Sequence, residues 1–355
     1  DNVLFDNLIQ LSISDFSNPA GPGATAPYYV PNFNTVYTGN QMYSIRPEQL
    51  CMHQYNVYDP GPVDFGTFTN NKYFNAYEEL SIEIFNTNSG WRKTYTMEQW
   101  QLEHSEDVGS ARSPLRSSKY ATISELSGDL IVNGAIDASI SGWSAFPSNG
   151  QLTRDDSYLD GGSLKTYLPD NSLYYDMFTQ NTNLFSVQNG QWYRMRFSIQ
   201  SDIHGVVRSG IKGESEWGLP HGIEEKPIPF SPERRDVEMY FQSDLTDQAH
   251  MLFISNYLEP RYWVDNAQLH KVTVAELDPT LDHVLLLNDQ ATSQTLAYPS
   301  GCWSDLNGNV VTGSVQLAPY SSKIVYRIPG TGCNQSPSNS VSAKVLLSGP
   351  LDTNT

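Results

Sequence analysis

The sequence predicts an all-β fold built from more than one domain, and three observations carry that reading. Charged side chains make up only 17% of the 355 residues while aromatics reach 12%, with 21 Tyr, 25 Gly and 21 Pro. This is the composition of turn-rich β proteins rather than of helical ones. Stretches such as Arg194-Met195-Arg196-Phe197-Ser198-Ile199 alternate with period two, as strands with one wet and one buried face do. The first hundred residues repeat a unit of Asn, a short apolar triplet and another Asn or Asp. The length suits two or three domains.

The repeating unit appears at Asn2-Val3-Leu4-Phe5-Asp6-Asn7, Asn34-Thr35-Val36-Tyr37, Asn56-Val57-Tyr58 and Asn71-Lys72-Tyr73-Phe74-Asn75. Its spacing of about 20 to 30 residues fits stacked coils. Asn suits the corners, because it tolerates left-handed dihedrals and its amide stacks into hydrogen-bonded ladders. Residues 1–115 are therefore expected to be the end of a right-handed parallel β-helix, the alternative being an irregular β domain with many turns. Tyr95-Thr96-Met97-Glu98-Gln99-Trp100-Gln101 reads as a short helix, with Thr96 as its cap and Gln99 completing a capping box. It resembles the segment that closes the β-helix in secreted polysaccharide-active proteins. Glu103, Glu106 and Asp107 read as a solvated face rather than a catalytic pair.

Residues 116–124 read as a linker. Over residues 125–276 five motifs then follow in order: Leu130-Ile131-Val132-Asn133-Gly134, Gly142-Trp143, Asp160-Gly161-Gly162-Ser163-Leu164, Gln191-Trp192-Tyr193-Arg194-Met195-Arg196-Phe197, and Tyr262-Trp263-Val264-Asp265-Asn266. Together they resemble the jelly-roll carbohydrate-binding modules of the xylan- and β-glucan-binding type. Glu238-Met239-Tyr240-Phe241 and Met251-Leu252-Phe253-Ile254 read as further strands. Residues 214–235, aperiodic and rich in Pro and Gly, read as a long surface loop.

Residues 277–333 change character again. His283-Val284-Leu285-Leu286-Leu287-Asn288 reads as a buried strand, and Asn307-Gly308-Asn309 as a hairpin turn. The stretch resembles the small C-terminal β-sandwich of many glycoside hydrolases and β-helix proteins. In residues 334–355 a linker precedes Val341-Ser342-Ala343-Lys344-Val345-Leu346-Leu347-Ser348-Gly349-Pro350. That strand is similar to the start of a module common in secreted and surface proteins of the Bacteroidetes. The chain opens within a strand-like pattern and is expected to be a portion of a larger secreted or cell-surface protein, with further domains on both sides.

A net charge of −18 and a pI near 4.6 argue against nucleic acid, which needs basic patches, and favour neutral ligands. No apolar run has the length to insert into a membrane. Of three cysteines, Cys302 and Cys333 flank one segment and are the candidates to pair, leaving Cys51 over. The alternative is two buried thiols.

No metalloprotease, serine-hydrolase or phosphate-loop motif is present, and the seven histidines lack metal-ligand spacing. No catalytic residue is assigned. Sugar binding is the better-supported chemistry, because sugar rings stack their C–H faces on aromatics while their hydroxyls need polar partners. The expected jelly roll offers Trp143, Phe146, Tyr158, Tyr167, Trp217, His221 and Tyr240. Trp143 and Trp217 lead as ligand contacts, with Arg154, Glu216 and His221 as polar partners and Tyr240 as a further aromatic. Trp192 and Trp263 read as core. The resemblance also implies a structural calcium near the first strand, with Asp137, Asp160 and Asp265 as candidate ligands; the alternative is turn-capping aspartates. The acidic residue expected just after Asn133-Gly134 is displaced to Asp137. The function expected is anchoring a larger polysaccharide-active protein on a neutral glycan. A structural or adhesive surface protein is the alternative, and a glycoside hydrolase or lyase with its site in the β-helix is the second.

Overall fold

The computed structural model describes residues 2–18, 28–30, 32–56, 65–86, 90–215, 225–328 and 343–348. The chain divides into two compact units, one of Asp1–Leu115 with Asp278–Val341, the other of Arg116–Leu277 with Ser342–Thr355.

In the first unit the strands stack in parallel. Val3–Phe5, Gln41–Ser44, Lys72–Asn75 and Ala111–Arg112 form one ladder. Ile9–Ser14, Leu50–Asn56 and Ile82–Asn86 form a second, closed by the antiparallel strand Arg92–Tyr95. Thr35–Thr38 and Gly66–Thr69 form a third. Parallel in-register stacking sets like on like. Phe5, Tyr43 and Phe74 share one register, and their rings stack at 5.4 and 4.3 Å.

The asparagines do the same at a corner. Asn2 Nδ2 donates to Asn40 Oδ1, Asn40 Nδ2 to Asn71 Oδ1 and Asn71 Nδ2 to Asp107 Oδ1, each at 3.1 Å. Asn34 and Asn70 adopt left-handed backbone. The Asn-flanked triplets of the sequence fall on more than one ladder, which explains their uneven spacing. Val57 and Tyr58 of the third triplet lie outside the described residues.

The helix spans Met97–His104, with the capping box between Thr96 and Gln99 complete. Trp100 turns inward against Phe68 and Tyr95. Asp107 corrects the reading of a solvated acidic face, because it is fully buried. It accepts hydrogen bonds from Asn71, Tyr73, Trp100 and Ser110.

The C-terminal strands His283–Asn288, Ser321–Arg327, Trp303–Asp305 and Val310–Val311 form an antiparallel sheet. The Asn307-Gly308-Asn309 turn is present, pinned by Asp305 Oδ1 on the N–H groups of Asn307 and Asn309. This segment does not stand as a separate domain, because Ile324 and Tyr326 share an apolar cluster with Tyr43 and Phe74. Cys302 is disulfide-bonded and Cys51 is a free buried thiol. Cys333 lies outside the described residues.

The second unit is a β-sandwich. One sheet orders Gln151–Asp155, Ser163–Tyr167, Arg261–Glu276, Trp192–Gln200 and Arg235–Gln242. The other orders Trp143–Phe146, Asp176–Asn181, Asp247–Asn256, Gly205–Gly213 and Lys226–Phe230. Met195, Phe197 and Ile199 from the first sheet meet Val207, Met251 and Phe253 from the second in one core, as the alternation predicts.

Three expectations change here. Part of the expected linker is the strand Tyr120–Glu125, paired with Arg261–Glu276. Lys226–Phe230, read as loop, is an edge strand; its two prolines hide the alternation, and an edge tolerates them because outward N–H groups need no partner. Ala343–Ser348 does not open a sheet of its own but pairs in parallel with Arg235–Gln242.

Candidate functional site

The outer face of the second sheet gathers the chemistry best suited to a ligand. Cross-strand register aligns Phe146 with Phe178, then Ile254, then Arg208. The next rows align Ser144, Gln180, Leu252 and Gly210, and after them His250 with Lys212. Alternation sends the intervening Met251 and Phe253 to the core.

The face has an aromatic end and a polar end. Phe146 and Tyr174 are 51% and 53% exposed, with ring centroids 4.8 Å apart, and Phe178 continues the row 6.3 Å from Phe146. Leu252 and Ile254 are buried beside them. Lys212 Nζ sits 5.7 Å from the Phe178 ring, and burial pulls its pKa below the usual lysine value against the raising effect of Glu225. Beyond it an open depression of about 610 Å³ is lined by Gln180, Thr182, Leu184, Glu214 and His250. His250 Nδ1 lies 2.7 Å from the carbonyl of Asn181, and Nε2 lies 3.1 Å from Glu214 Oε2. A carbonyl only accepts, so Nδ1 donates to it, and the two contacts together fix the orientation of the ring.

Among the described residues, those chosen from the sequence as ligand contacts do not lie on this face. Trp143 is only 7% exposed and its Nε1 donates to the carbonyl of Asn133; it is core. Tyr240 is 3% exposed, with its hydroxyl on Glu238 and Thr122, so its ring offers no stacking surface. Arg154 belongs to the other sheet. Tyr158 packs on Trp263, with centroids 4.4 Å apart. Trp217, Glu216 and His221 lie outside the described residues. Among the described residues, Phe146 is the one named aromatic on the face. Tyr174, Phe178, Gln180, Lys212, Glu214 and His250 were not singled out, although the alternation of Asp176-Met177-Phe178-Thr179-Gln180-Asn181 carried the signal.

The three candidate calcium ligands do approach one another. Asp265 is buried and its carboxyl is pushed up to about 6, first by burial. The N–H groups of Asn266 and Asp160 oppose that rise, and the carboxylates of Asp160 and Asp137 add to it. A calcium ion draws on roughly six to eight oxygens, and here the oxygens are engaged by the protein itself. Asp160 Oδ2 takes Arg234 Nη1 at 2.5 Å, and Arg154 takes the carbonyls of Ile136, Asp137 and Gly161. Among the described residues no group of three His, Cys, Asp or Glu side chains is placed to hold a metal. The donor set does not fit the ion.

Three carboxylates of the first unit are likewise tied. Arg112 bridges Glu79 and Glu98, and Glu83 meets His53 and Arg92 at 3.3 and 3.6 Å.

No family model and no curated protein matches the chain. Among solved structures the chain is similar to an arabinose-bound α-L-arabinofuranosidase, at 13% identity and a TM-score of 0.34, over 40% of this chain and 26% of that one. It is also similar to the CBM22-1 xylan-binding domain of Paenibacillus barcinonensis Xyn10C, at 11% identity and a TM-score of 0.32, over 43% and 99%. A third is a Stig cyclase from Fischerella sp. TAU, at 10% identity and a TM-score of 0.31, over 45% and 100%.

Proposed function

We propose that the sandwich unit binds a neutral glycan on the outer face of its second sheet, and so anchors a larger secreted, polysaccharide-active protein. The observation that carries this is the exposed Phe146–Tyr174 pair beside a depression lined by amide, carboxylate and imidazole groups. Sugar rings need that combination: an apolar surface for their C–H faces and oriented polar groups for their hydroxyls. The net charge of −18 disfavours polyanions. The reading extends to the rest of the chain. The parallel ladders, the asparagine row and the inward Trp100 support the last coils of a right-handed β-helix, and the disulfide at Cys302 supports an oxidising, extracellular location.

The test is affinity electrophoresis of the whole chain in gels of xylan, mixed-linkage β-glucan and a polyuronate. Retardation by a neutral polymer is expected, with the Tyr174→Ala and Phe146→Ala changes each weakening binding by about 5- to 10-fold, the equivalent of about 1 kcal/mol per aromatic contact. Retardation that survives both substitutions would move the site elsewhere. No retardation by a folded chain would favour a structural or adhesive role.

A further inference from the structure

The corner formed by Asn133–Asp137, the Asp160-Gly161-Gly162 turn and the Asp265 bulge has the makings of a cation site, and the cation is part of the chain. Its backbone is contorted. Asn133 and Ile136 both have φ near +55°, and for β-branched Ile136 that conformation is strained and needs holding. The Ile136 side chain is buried in the core, so its carbonyl is forced to turn out of it. The carbonyls of Asp137 and Gly161 converge with it on the same point.

The Arg154 guanidinium occupies that point. Nε donates to the carbonyls of Ile136 and Asp137 at 3.2 and 2.9 Å, Nη2 to the carbonyl of Gly161 at 2.7 Å, and Nη1 to Asp156 Oδ2 at 2.9 Å. The turn is shaped to admit it. A Cβ at Gly162 would stand 2.6 Å from Arg154 Nη2, so only glycine leaves room for the guanidinium. On the far side of the corner, Arg234 Nη1 neutralises Asp160.

We infer that Arg154 takes the place of a structural calcium ion in this sandwich: one fixed guanidinium gathers the carbonyls that a divalent ion would otherwise hold. A planar fork spreads five N–H donors in fixed directions and so satisfies carbonyls from two separate loops at once, whereas an ammonium offers three donors from a single point. The fold of this unit is then independent of calcium.

The test measures thermal unfolding of the whole chain, dialysed into EDTA and then supplied with millimolar calcium. The native protein is expected to melt at the same temperature in both. The Arg154→Met variant, which keeps the apolar stem and removes the donors, is expected to melt several degrees lower in EDTA. If it does not fold, Arg154→Lys serves, and should also melt lower because an ammonium lacks the fixed, spread donors of the fork. A calcium-induced rise in the native melting temperature that Asp265→Asn abolishes would overturn the inference. A rise that survives Asp265→Asn belongs to an ion elsewhere and leaves this corner calcium-free, as inferred. An Arg154→Met or Arg154→Lys chain as stable as the native protein would also overturn it.

Discussion

His283 shows how one buried side chain can set the acid response of a whole unit. It is 3% exposed, with Nδ1 2.6 Å from the Tyr43 hydroxyl and Nε2 3.2 Å from that of Tyr77. A neutral ring suits this arrangement, accepting from one hydroxyl and donating to the other; a protonated ring would need both hydroxyls to accept. Burial lowers its pKa from 6.5 to about 4. Above pH 6.5 the imidazole is neutral in both folded and unfolded chains. Between pH 6.5 and 4 the unfolded chain takes up a proton that the folded one refuses, so stability is lost as pH falls. The loss is about 2 kcal/mol at pH 5 and about 3 kcal/mol near pH 4. Urea titrations at pH 7 and pH 5 should show it for the unit holding His283. The His283→Gln variant, which cannot titrate, should be less sensitive to the same change by about that amount. Equal slopes in the two proteins would show that the ring is already charged in the fold.

At the scale of elements, the parallel ladders depend on equivalent residues meeting at each turn. Asn71 is the middle rung and is buried. Its Oδ1 accepts both the backbone N–H and the Nδ2 of Asn40, and its Nδ2 reaches the Tyr37 carbonyl and Asp107. Asn71→Ala strands several buried polar groups at once and should cost about 3 kcal/mol, at roughly 1–3 kcal/mol for each group left unpaired. Chemical denaturation measures this directly; a cost under about 1 kcal/mol would mean that water replaces the rung. The stacking was legible only in part: the Asn2 and Asn71 triplets fall on one ladder, but the Asn40 rung between them was not singled out, while a local motif fixed the Thr96–Gln99 cap. The candidate face was not legible, because exposure is decided by parity along a strand whose ends the sequence does not mark. Trp143 and Phe146 lie three residues apart on one strand and so point to opposite faces. The larger ring went into the core and the smaller one faces outward. Asp107 was misread for a related reason: two of its donors, Asn71 and Tyr73, lie more than thirty residues away.

For the molecule as a whole, the division into two compact units, each with its own core, carries a thermodynamic consequence. His283 belongs to the unit formed by residues 1–115 and 278–341, and Arg154 to the sandwich. The proton that weakens one and the guanidinium that braces the other therefore act on separate cores. Calorimetry should resolve two transitions rather than one, since a chain of two cores departs from two-state unfolding. Lowering pH from 7 to 5 should move the transition of the His283 unit downward. Arg154→Met should move the other transition, and only that one. The overall charge works against the first effect, because a chain of net charge −18 loses self-repulsion as pH approaches its pI. The His283→Gln chain supplies the baseline for that general gain. Combined, acid and Arg154→Met should add to within about 0.5 kcal/mol, as perturbations without shared partners do. A coupling larger than that, or a single merged transition that both perturbations shift together, would mean that the two units unfold as one and that the clamp in the sandwich supports the stacked coils as well.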